Sequence, residues 1–522
     1  MTKKGAKRKP EFKQMAFETA VRNPDRYLEI FKALIDFDGV LLNDENLLKI
    51  VGHLYLNNIV KSDKIQIDDK TTFDDIKEEV VKVNSTRNSD GGFPKGYQSR
   101  FWTYMRTPSE LGFVYARYNE TFRFSEIAKM LIKGDIDEQE AFSIQSMKYN
   151  RKNPYRNVSN DFNFFKFILR VLLKLREKGK SLSYEQFIVA MFSQNGDVEN
   201  FIEVINENKF PDFKSVYQFV EKNYGVTTKF KTVTRDYPDV VRRVLIISGF
   251  ITIRFSGKKL IKINENKLDY IVDLLKIEFG LSDNEKSNPS AYFKKLESQN
   301  NEFLRLIYRY RETDKIDGEY YRNQINNIIN IYEIDEEKIL KSIEKIGNRR
   351  TIIEEFNEIP EPLKLEFFIS ILIALKYGDQ FAIRPNYKAD HIGKPYSHAP
   401  GNKGDIELFS NEIYWLIEVT LIRNKTQQLN QETTSVIRHL YSNEEFADRL
   451  KKYLSFIAPI IHEDTERFYQ YAMVMERNPE HKLYLKPYSI DEFVTVTKEK
   501  RNFEDMENYT KHVFDTFRKN LN

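Results

Sequence analysis

The spacing of hydrophobic positions predicts an amphipathic helix near the start of the chain. Apolar side chains recur at Tyr27, Ile30, Phe31 and Leu34, which places them on one face of a helix. The preceding Asn23-Pro24-Asp25 is typical of a helix start, with an N-cap, a proline at the first helical position and an early acid. Short amphipathic helices of this kind are predicted through the first half of the chain.

Two segments add short strands to this helical pattern. Residues 101–134 contain a helix, two alternating strands around the turn Tyr118-Asn119-Glu120, and another helix. Residues 236–275 have a related order, with a ribbon that turns at Ser256-Gly257. A helix beside a two-stranded ribbon is typical of a winged helix. The sequence therefore predicts a mainly α N-terminal half with winged-helix-like units.

Beyond this half the pattern changes twice. Residues 276–350 are polar with helical spacing and no glycine-rich hinge, which predicts a helical linker. Residues 351–522 alternate helices and strands in the order αβββαβ, which predicts an α/β domain. We expect three parts, with boundaries at 1–275, 276–350 and 351–522.

Composition excludes several classes of protein. The chain of 522 residues has no cysteine and seven histidines, so disulfide scaffolds, zinc ribbons and thiol nucleophiles are excluded. Its apolar runs are about half the roughly 18 residues that a membrane span needs. The basic start MTKKGAKRKP is not followed by a hydrophobic secretory segment. We expect a soluble protein of the bacterial cytoplasm without a membrane partner.

Charge is distributed unevenly along the chain. The net charge is +4, with +10 on residues 1–270 and −6 on the remainder. A basic half joined to an acidic half favours a polyanion-binding region beside a region with acidic chemistry, although ordinary variation in surface charge is the alternative. Basic residues around the glycine-rich loop at 84–98 and around the second ribbon are the predicted DNA contacts, each with the alternative of a solvated surface charge. They are Arg87, Lys95, Arg100, Arg106, Arg242, Arg243, Arg254 and Lys258.

Two acids on adjacent predicted strands are the sharpest chemical signal. Asp405 begins the strand DIELF, and Glu418 lies near the end of the strand EIYWLIEVT. A hairpin of these strands brings both carboxylates to one edge of the sheet, where they can bind Mg²⁺ with the backbone carbonyl of Val419 as a further ligand. The alternative is that each acid points into solvent at a strand end.

Helices on either side of this hairpin supply further polar groups. Glu366 lies in the otherwise apolar segment KLEFFISILIAL, before the strands. Glu432 and His439 lie on the helix predicted after them, at a spacing that shares one face. We predict that these three residues support the two acids. The alternatives are a surface acid for Glu366 and a structural histidine for His439.

The strings HAPGNKGDIELFSNEIYWLIEVT and QQLNQETTSVIRHL resemble the AlwI-type family of type IIS restriction endonucleases, which includes site-specific nicking enzymes. The resemblance is strongest over about 360–490, and it implies a PD-(D/E)XK nuclease core with the acids in the roles given above. Thr420 stands where the general nuclease pattern has a lysine, as it does in AlwI-like enzymes. The positive charge must come from elsewhere, and Arg423, Lys425 and His439 are the candidates.

The resemblance implies a Mg²⁺-dependent type IIS endonuclease of double-stranded DNA. Such an enzyme recognises a short asymmetric sequence and cuts at a short fixed distance from it. Cutting both strands would need a transient second catalytic domain, from another copy or a separate subunit. The alternatives are a strand-specific nicking endonuclease of the same family, and a winged-helix DNA-binding regulator without catalysis.

Overall fold

The structure, a computed structural model, describes residues 11–68, 70–85, 96–255, 257–313, 318–346, 353–399, 403–425, 428–442, 445, 449, 451–474, 482–500 and 502–521. The chain divides into two compact units, residues 1–313 and 314–522. Among the described residues, no helix is long and apolar enough to span a membrane.

The first unit is mainly helical. Helices α1–α15 span Arg26–Leu34, Asp44–Leu56, Phe73–Ser85, Tyr97–Leu111, Glu126–Lys133, Glu138–Lys148, Phe164–Glu177, Tyr184–Ala190, Val198–Glu207, Phe213–Tyr224, Tyr237–Ile247, Leu268–Lys276, Asp283–Ser287, Pro289–Glu297 and Asn300–Thr313. Strands β1–β5 span Val114–Tyr115, Arg123–Phe124, Leu182–Ser183, Ile251–Phe255 and Lys259–Ile263. The helices bury their apolar stripes in one continuous core that includes all four apolar residues predicted to face inwards from α1.

The strands of the first unit form two small antiparallel sheets. In one, β1 pairs with β2, and a bridge joins Leu41 to Thr121 beyond them. In the other, the order is β3-β5-β4. In the second sheet, the last strand, β5, therefore lies between the early strand β3 and its own hairpin partner β4. The two helix-and-ribbon segments expected from the sequence are present at these positions.

The second unit contains a five-stranded sheet between helices. Helices α16–α22 span Gly318–Tyr332, Glu336–Glu344, Glu361–Tyr377, Thr434–Ser442, Glu463–Val474, Ile490–Glu499 and Phe503–Leu521. Strands β6–β12 span Ala382–Pro385, Lys388–Ala389, Pro395–Ser397, Ile406–Phe409, Ile413–Val419, Lys451–Ala458 and Lys482–Ser489. The sheet order is β12-β11-β10-β9-β6, in which β10, β11 and β12 are parallel to each other and β9 is antiparallel to both of its neighbours.

Side chains alternate between the two faces of this sheet. Ile406 and Trp415 face a core shared with α18, whereas Tyr414 and Leu416 face a core shared with α19 and α20. This alternation is the period of two that a strand imposes. The mixed α/β architecture predicted for residues 351–522 is therefore present.

The boundary between the two units falls inside the segment predicted as a helical linker, residues 276–350. Its first helices belong to the first unit, where Phe303 and Ile307 of α15 join the core. Its later helices belong to the second unit, where Ile328 of α16 and Ile339 of α17 are buried. The segment is thus packed into both units.

Candidate active site

The hairpin of β9 and β10 brings Asp405 and Glu418 opposite each other. Ile406 pairs with Ile417 in the antiparallel register, so the next pair along is Asp405 with Glu418. The backbone N–H of Val419 donates a 2.8 Å hydrogen bond to Oδ2 of Asp405. The two acids therefore meet at one end of the sheet, as the sequence predicted.

The backbone around Asp405 is held by Asn386, which follows β6. The Asn386 N–H donates to the carbonyl of Asp405 over 2.9 Å, and its side-chain amide donates to the carbonyl of Gly404 over 2.7 Å. Gly404 has no room for a side chain, because an added Cβ would lie 2.2 Å from a Leu416 methyl carbon and 3.0 Å from Oε1 of Glu418. The approach of the two strands at the acids therefore depends on these two residues.

A second buried acid, Glu407, extends this arrangement along β9. Its Oε2 accepts from Nε of Arg384 over 2.8 Å and from the Asn386 amide over 2.9 Å. Its Oε1 accepts from the Tyr414 hydroxyl over 2.9 Å. Asn386 therefore connects Glu407 to the backbone of Asp405. The sequence analysis missed both Asn386 and Glu407. Glu407 could have been identified, because it is an acid in an apolar strand, two residues after Asp405.

Helix α18 contributes Glu366, which is only 3% exposed. His398 Nδ1 forms a hydrogen bond with Glu366 Oε1. The other carboxylate oxygen, Oε2, is buried and has no hydrogen-bond partner among the described residues. His398 was not singled out from the sequence, although it is one of only seven histidines and lies seven positions before Asp405.

Helix α19 contributes His439 on the other side of the hairpin. Its Nδ1 lies 2.8 Å from Oε1 of Glu418, close enough for the ring N–H to donate to the carboxylate. Glu418 is 6% exposed. Glu432 lies in the wide helical turn Gln428–Thr433 before α19, and its side chain is outside the described residues. Of the supporting residues predicted, Glu366 and His439 have described side chains.

Electrostatic repulsion is concentrated on Asp405. Burial raises the pKa of its carboxyl group well above the usual range, and the neighbouring charges of Glu366 and Glu418 raise it further. The Val419 N–H and His398 act in the opposite direction on the same pKa. Three acids are therefore close enough to influence one another.

The positive charge that replaces the usual lysine was predicted to come from Arg423, Lys425 or His439. Lys425 pairs with Asp464 at 2.7 Å, and Arg423 is exposed. His439 contacts Glu418 directly. Of the three candidates, His439 is the one that the described contacts place on the acids.

The donor atoms suit a hard divalent cation. No group of three or more His, Asp or Glu in the described ranges is arranged to hold a metal ion. Mg²⁺ is usually bound by one or two carboxylates and completes its shell with waters and substrate phosphates, so a pair of acids is a sufficient protein contribution. The crowded carboxylates and the buried, unsatisfied Oε2 of Glu366 fit such a cation.

The predicted DNA contacts on α4 and on the second ribbon lie at the surface. Arg100 and Arg106 are exposed on α4. Arg254 is half-buried on β4, and Lys258 is exposed in the turn before β5. Arg87 and Lys95 lie outside the described residues.

The two arginines of α11 are engaged within the protein. Arg242 is buried, donates to Asp239 over 2.6 Å and lies over the Tyr184 ring. Arg243 donates to Asp239 over 3.1 Å and to Asn23 over 2.5 Å. Both predicted contacts are thus engaged with neighbouring side chains in this structure, and their contact with DNA stays a prediction.

Comparisons with known proteins identify the family of the chain. The family model for the AlwI restriction endonuclease matches residues 109–496. No curated protein sequence matches the chain.

Solved structures that are similar to parts of the chain include the following two. The small subunit (R.BspD6I2) of the heterodimeric restriction endonuclease R.BspD6I is 19% identical, with 35% of this chain and 95% of that chain covered and a TM-score of 0.28. The BpuJ1 endonuclease binding domain, in complex with modified DNA, is 15% identical, with 55% and 98% covered and a TM-score of 0.34. Because the family model spans more than half of the sequence, this chain belongs to the AlwI restriction endonuclease family.

Proposed function

We propose that this chain is a type IIS restriction endonuclease that recognises a short asymmetric sequence in double-stranded DNA and cuts at a short fixed distance with Mg²⁺. The observation that carries the proposal is the opposition of Asp405 and Glu418 across the β9–β10 hairpin, in a member of a restriction endonuclease family. Catalysis is assigned to the second unit and recognition to the basic region 1–275.

Asp405, Glu418 and the backbone carbonyl of Val419 would hold the Mg²⁺ ion. When bound, the ion supplies Lewis acidity that activates water and stabilises charge on the phosphate. The Val419 N–H fixes the Asp405 carboxylate, and Nδ1 of His439 fixes the Glu418 carboxylate. These hydrogen bonds orient the acids before DNA arrives, as groups that hydrogen-bond to the ligands of a metal ion do in other metal sites.

Glu366 and His398 form a second pair beside these acids. The bond from His398 to Oε1 of Glu366 orients the carboxylate. Oε2 of Glu366 is then the buried oxygen that can accept a hydrogen bond from an incoming water. We assign to this pair the positioning of the water that attacks the phosphodiester, and to Glu432 a supporting role.

The strand order of the first unit supports recognition by winged-helix-like modules. In the second sheet the early strand β3 pairs with β5, the last strand of the ribbon, and beside the first ribbon Leu41 forms an isolated bridge with Thr121. In chain order a helix, α4 or α11, comes directly before each ribbon. The exposed side of α4 carries Ser99, Arg100 and Arg106, which suits contact with bases and phosphates.

The proposal is tested by incubating the full chain with plasmid DNA that carries random sequence, with Mg²⁺ or with EDTA, and sequencing the ends. We expect ends at a constant distance from one asymmetric sequence, in Mg²⁺ alone. Random ends would exclude site-specific cleavage. Specific binding without any cleavage, in Mg²⁺ or Mn²⁺, would favour the regulator instead.

A further inference from the structure

The first unit contains a cavity of about 450 Å³, and all of its lining residues belong to that unit. It is bordered by the end of α6, the start of α7, and the loops at 195–196 and 278–281. This volume is within the range of sites that bind small molecules, which is about 300–1,000 Å³. Nothing in the proposed cleavage chemistry uses this cavity.

Two cations on successive turns of α7 face the cavity. Lys166 donates its Nζ to the carbonyl of Ile277 over 2.7 Å, and Arg170 is exposed. Among the described residues neither forms an ion pair, whereas Lys174 and Arg176 further along the same helix pair with Glu199 and Glu265. Lys166 and Arg170 are therefore the cations of α7 that form no ion pair with a described residue, although the carboxylates of Glu278 and Glu302 are near enough to act on Lys166.

Lys148, at the end of α6, is a third cation in the cavity wall and is fully buried. Its Nζ donates to the carbonyl of Leu296 and to Oδ1 of Asn300, each over 2.7 Å, and it has no ion pair with a described carboxylate. The one acid in the wall is Glu278, which is exposed. The wall thus has three basic side chains and one acidic side chain.

Burial weakens the charged form of both lysines. It lowers the pKa of Lys148 to about 7, against the opposing charge of Glu297. Burial, and then the charge of Arg170, lowers the pKa of Lys166, against the opposing charges of Glu278 and Glu302. Holding positive charge in such a place is costly, and an anion bound in the cavity offsets that cost.

The rest of the wall combines aromatic rings with amides. Phe162, Phe167 and Phe279 line it, together with the amide of Asn195 and with Asn163, whose own amide already donates to the carbonyls of Ser146 and Met147. Aromatic side chains stack on nucleobases, and amides form hydrogen bonds with base edges. A ligand with a phosphate and an aromatic base matches both parts of this wall.

We propose that this cavity binds a nucleotide, with the phosphate at Lys166 and Arg170 and the base against the phenylalanine rings. The nucleotide is either a free mononucleotide or an unpaired nucleotide of a DNA strand. Binding of a free mononucleotide is independent of the proposed function, whereas binding of an unpaired nucleotide of a DNA strand rests on it.

The test uses the full chain in EDTA, so that no cleavage occurs, and titrates it calorimetrically with dAMP, dTMP and inorganic phosphate. The variant is Arg170→Gln, and the matched control is Arg176→Gln, which removes the same charge from the same helix outside the cavity. We expect a mononucleotide to bind the wild type and the control, and to bind Arg170→Gln at least about tenfold more weakly, the loss typical of one charge-assisted hydrogen bond.

The second arm measures binding of single-stranded and duplex oligonucleotides to the same proteins. If mononucleotides fail to bind but Arg170→Gln weakens oligonucleotide binding about tenfold relative to Arg176→Gln, the source is a DNA strand. If inorganic phosphate binds as tightly as dAMP, the nucleotide assignment is overturned. If Arg170→Gln and Arg176→Gln behave alike in both arms, the proposal is wrong. Mononucleotide binding needs neither metal nor cleavage, so failure of the proposed endonuclease activity would not affect it.

Discussion

The backbone N–H of Val419 donates to Oδ2 of Asp405 over 2.8 Å, so the residue next to one acid holds the other acid in place. This bond stabilises the ionised form of Asp405 against the repulsion of Glu366 and Glu418. A change at either strand end is therefore transmitted to both carboxylates. The first predictions concern this coupling.

Removing the charge of either acid should abolish cleavage but leave binding to the specific DNA sequence intact. Asp405→Asn and Glu418→Gln keep the size of the side chains but remove ligands for Mg²⁺. We expect the rate of DNA cleavage to fall by about a thousandfold or more, because metal coordination contributes several kcal/mol to transition-state stabilisation. Gel shifts should show nearly unchanged specific binding. The control is Glu412→Gln, an exposed acid at the turn of the same hairpin.

The raised pKa of Asp405 predicts a pH-dependent stability. Below about pH 3, where aspartate is protonated in the folded and unfolded states alike, Asp405 imposes no penalty. As pH rises above the ordinary pKa of aspartate, Asp405 ionises in the unfolded chain but stays protonated in the folded protein, and this difference lowers the free energy of unfolding. The penalty is complete above the raised pKa of the folded state.

Asp405→Asn should therefore unfold at a higher temperature than the wild type at pH 7 to 8 in EDTA, with a smaller difference at pH 4. Mg²⁺ should stabilise the wild type more than the variant, since its charge offsets the repulsion. Thermal unfolding at several pH values, with Glu412→Gln as the reference, measures both effects. A variant that is no more stable than the wild type at neutral pH would show that the carboxylates do not repel one another.

Asn386 should act as a positioning residue for Asp405. Its backbone and side-chain amides hold the carbonyls of Asp405 and Gly404, and the side chain also bonds to Glu407. We expect Asn386→Ala to lower cleavage about 10- to 100-fold and to raise the Mg²⁺ concentration needed for half-maximal rate, as loss of a supporting contact does at metal sites.

A purely structural role for Asn386 would lower the amount of folded protein but leave the Mg²⁺ dependence unchanged. Titration of Mg²⁺ at saturating DNA separates these outcomes. Asn411→Ala, at the exposed turn of the β9–β10 hairpin, is the matched control.

Local patterns predicted the parts of the fold that depend on local spacing. The α1 stripe of Tyr27, Ile30, Phe31 and Leu34 is buried, because a helix places these positions on one face. The start of that helix was wrong by a few residues. Asp25 is the N-cap, whereas Asn23 accepts a hydrogen bond from Arg243, more than 200 residues away. Such a contact leaves no trace in the neighbouring sequence.

The candidate site was predictable to the extent that it depends on one hairpin. The sequence indicated that Asp405 and Glu418 meet, but it contained no pattern that brings Asn386 to Asp405 or His398 to Glu366. The helix predicted to carry Glu432 and His439 begins as a wide turn over Gln428–Thr433, and α19 spans Thr434–Ser442. In that turn the Gln428 side chain bonds to the carbonyl of Ile460 and to the hydroxyl of Thr465. These are tertiary contacts that periodicity does not encode.

The last prediction concerns the number of DNA strands cut. Strands β1–β5 of the first unit carry no aspartate or glutamate, so the opposed acidic pair of β9 and β10 has no counterpart in those hairpins. One such centre hydrolyses one phosphodiester at a time, and the strands of a duplex run in opposite directions. Double-strand cutting by this chain should therefore need a transient second catalytic domain, from another copy or a separate subunit.

We expect dilute enzyme on a plasmid with one site to accumulate nicked circles before linear DNA. Linear product should increase more than proportionally with enzyme concentration, because pairing of two catalytic domains is bimolecular.

Adding the Asp405→Asn variant to a limiting amount of wild type tests the source of the second domain. If the variant pairs but cannot cut, it should raise nicked product and suppress linear product. A strand-specific nicking enzyme would stop at nicked circles at every concentration. Linear DNA that appears first, at a rate proportional to enzyme and without a nicked intermediate, would mean that the chain contains a second catalytic centre.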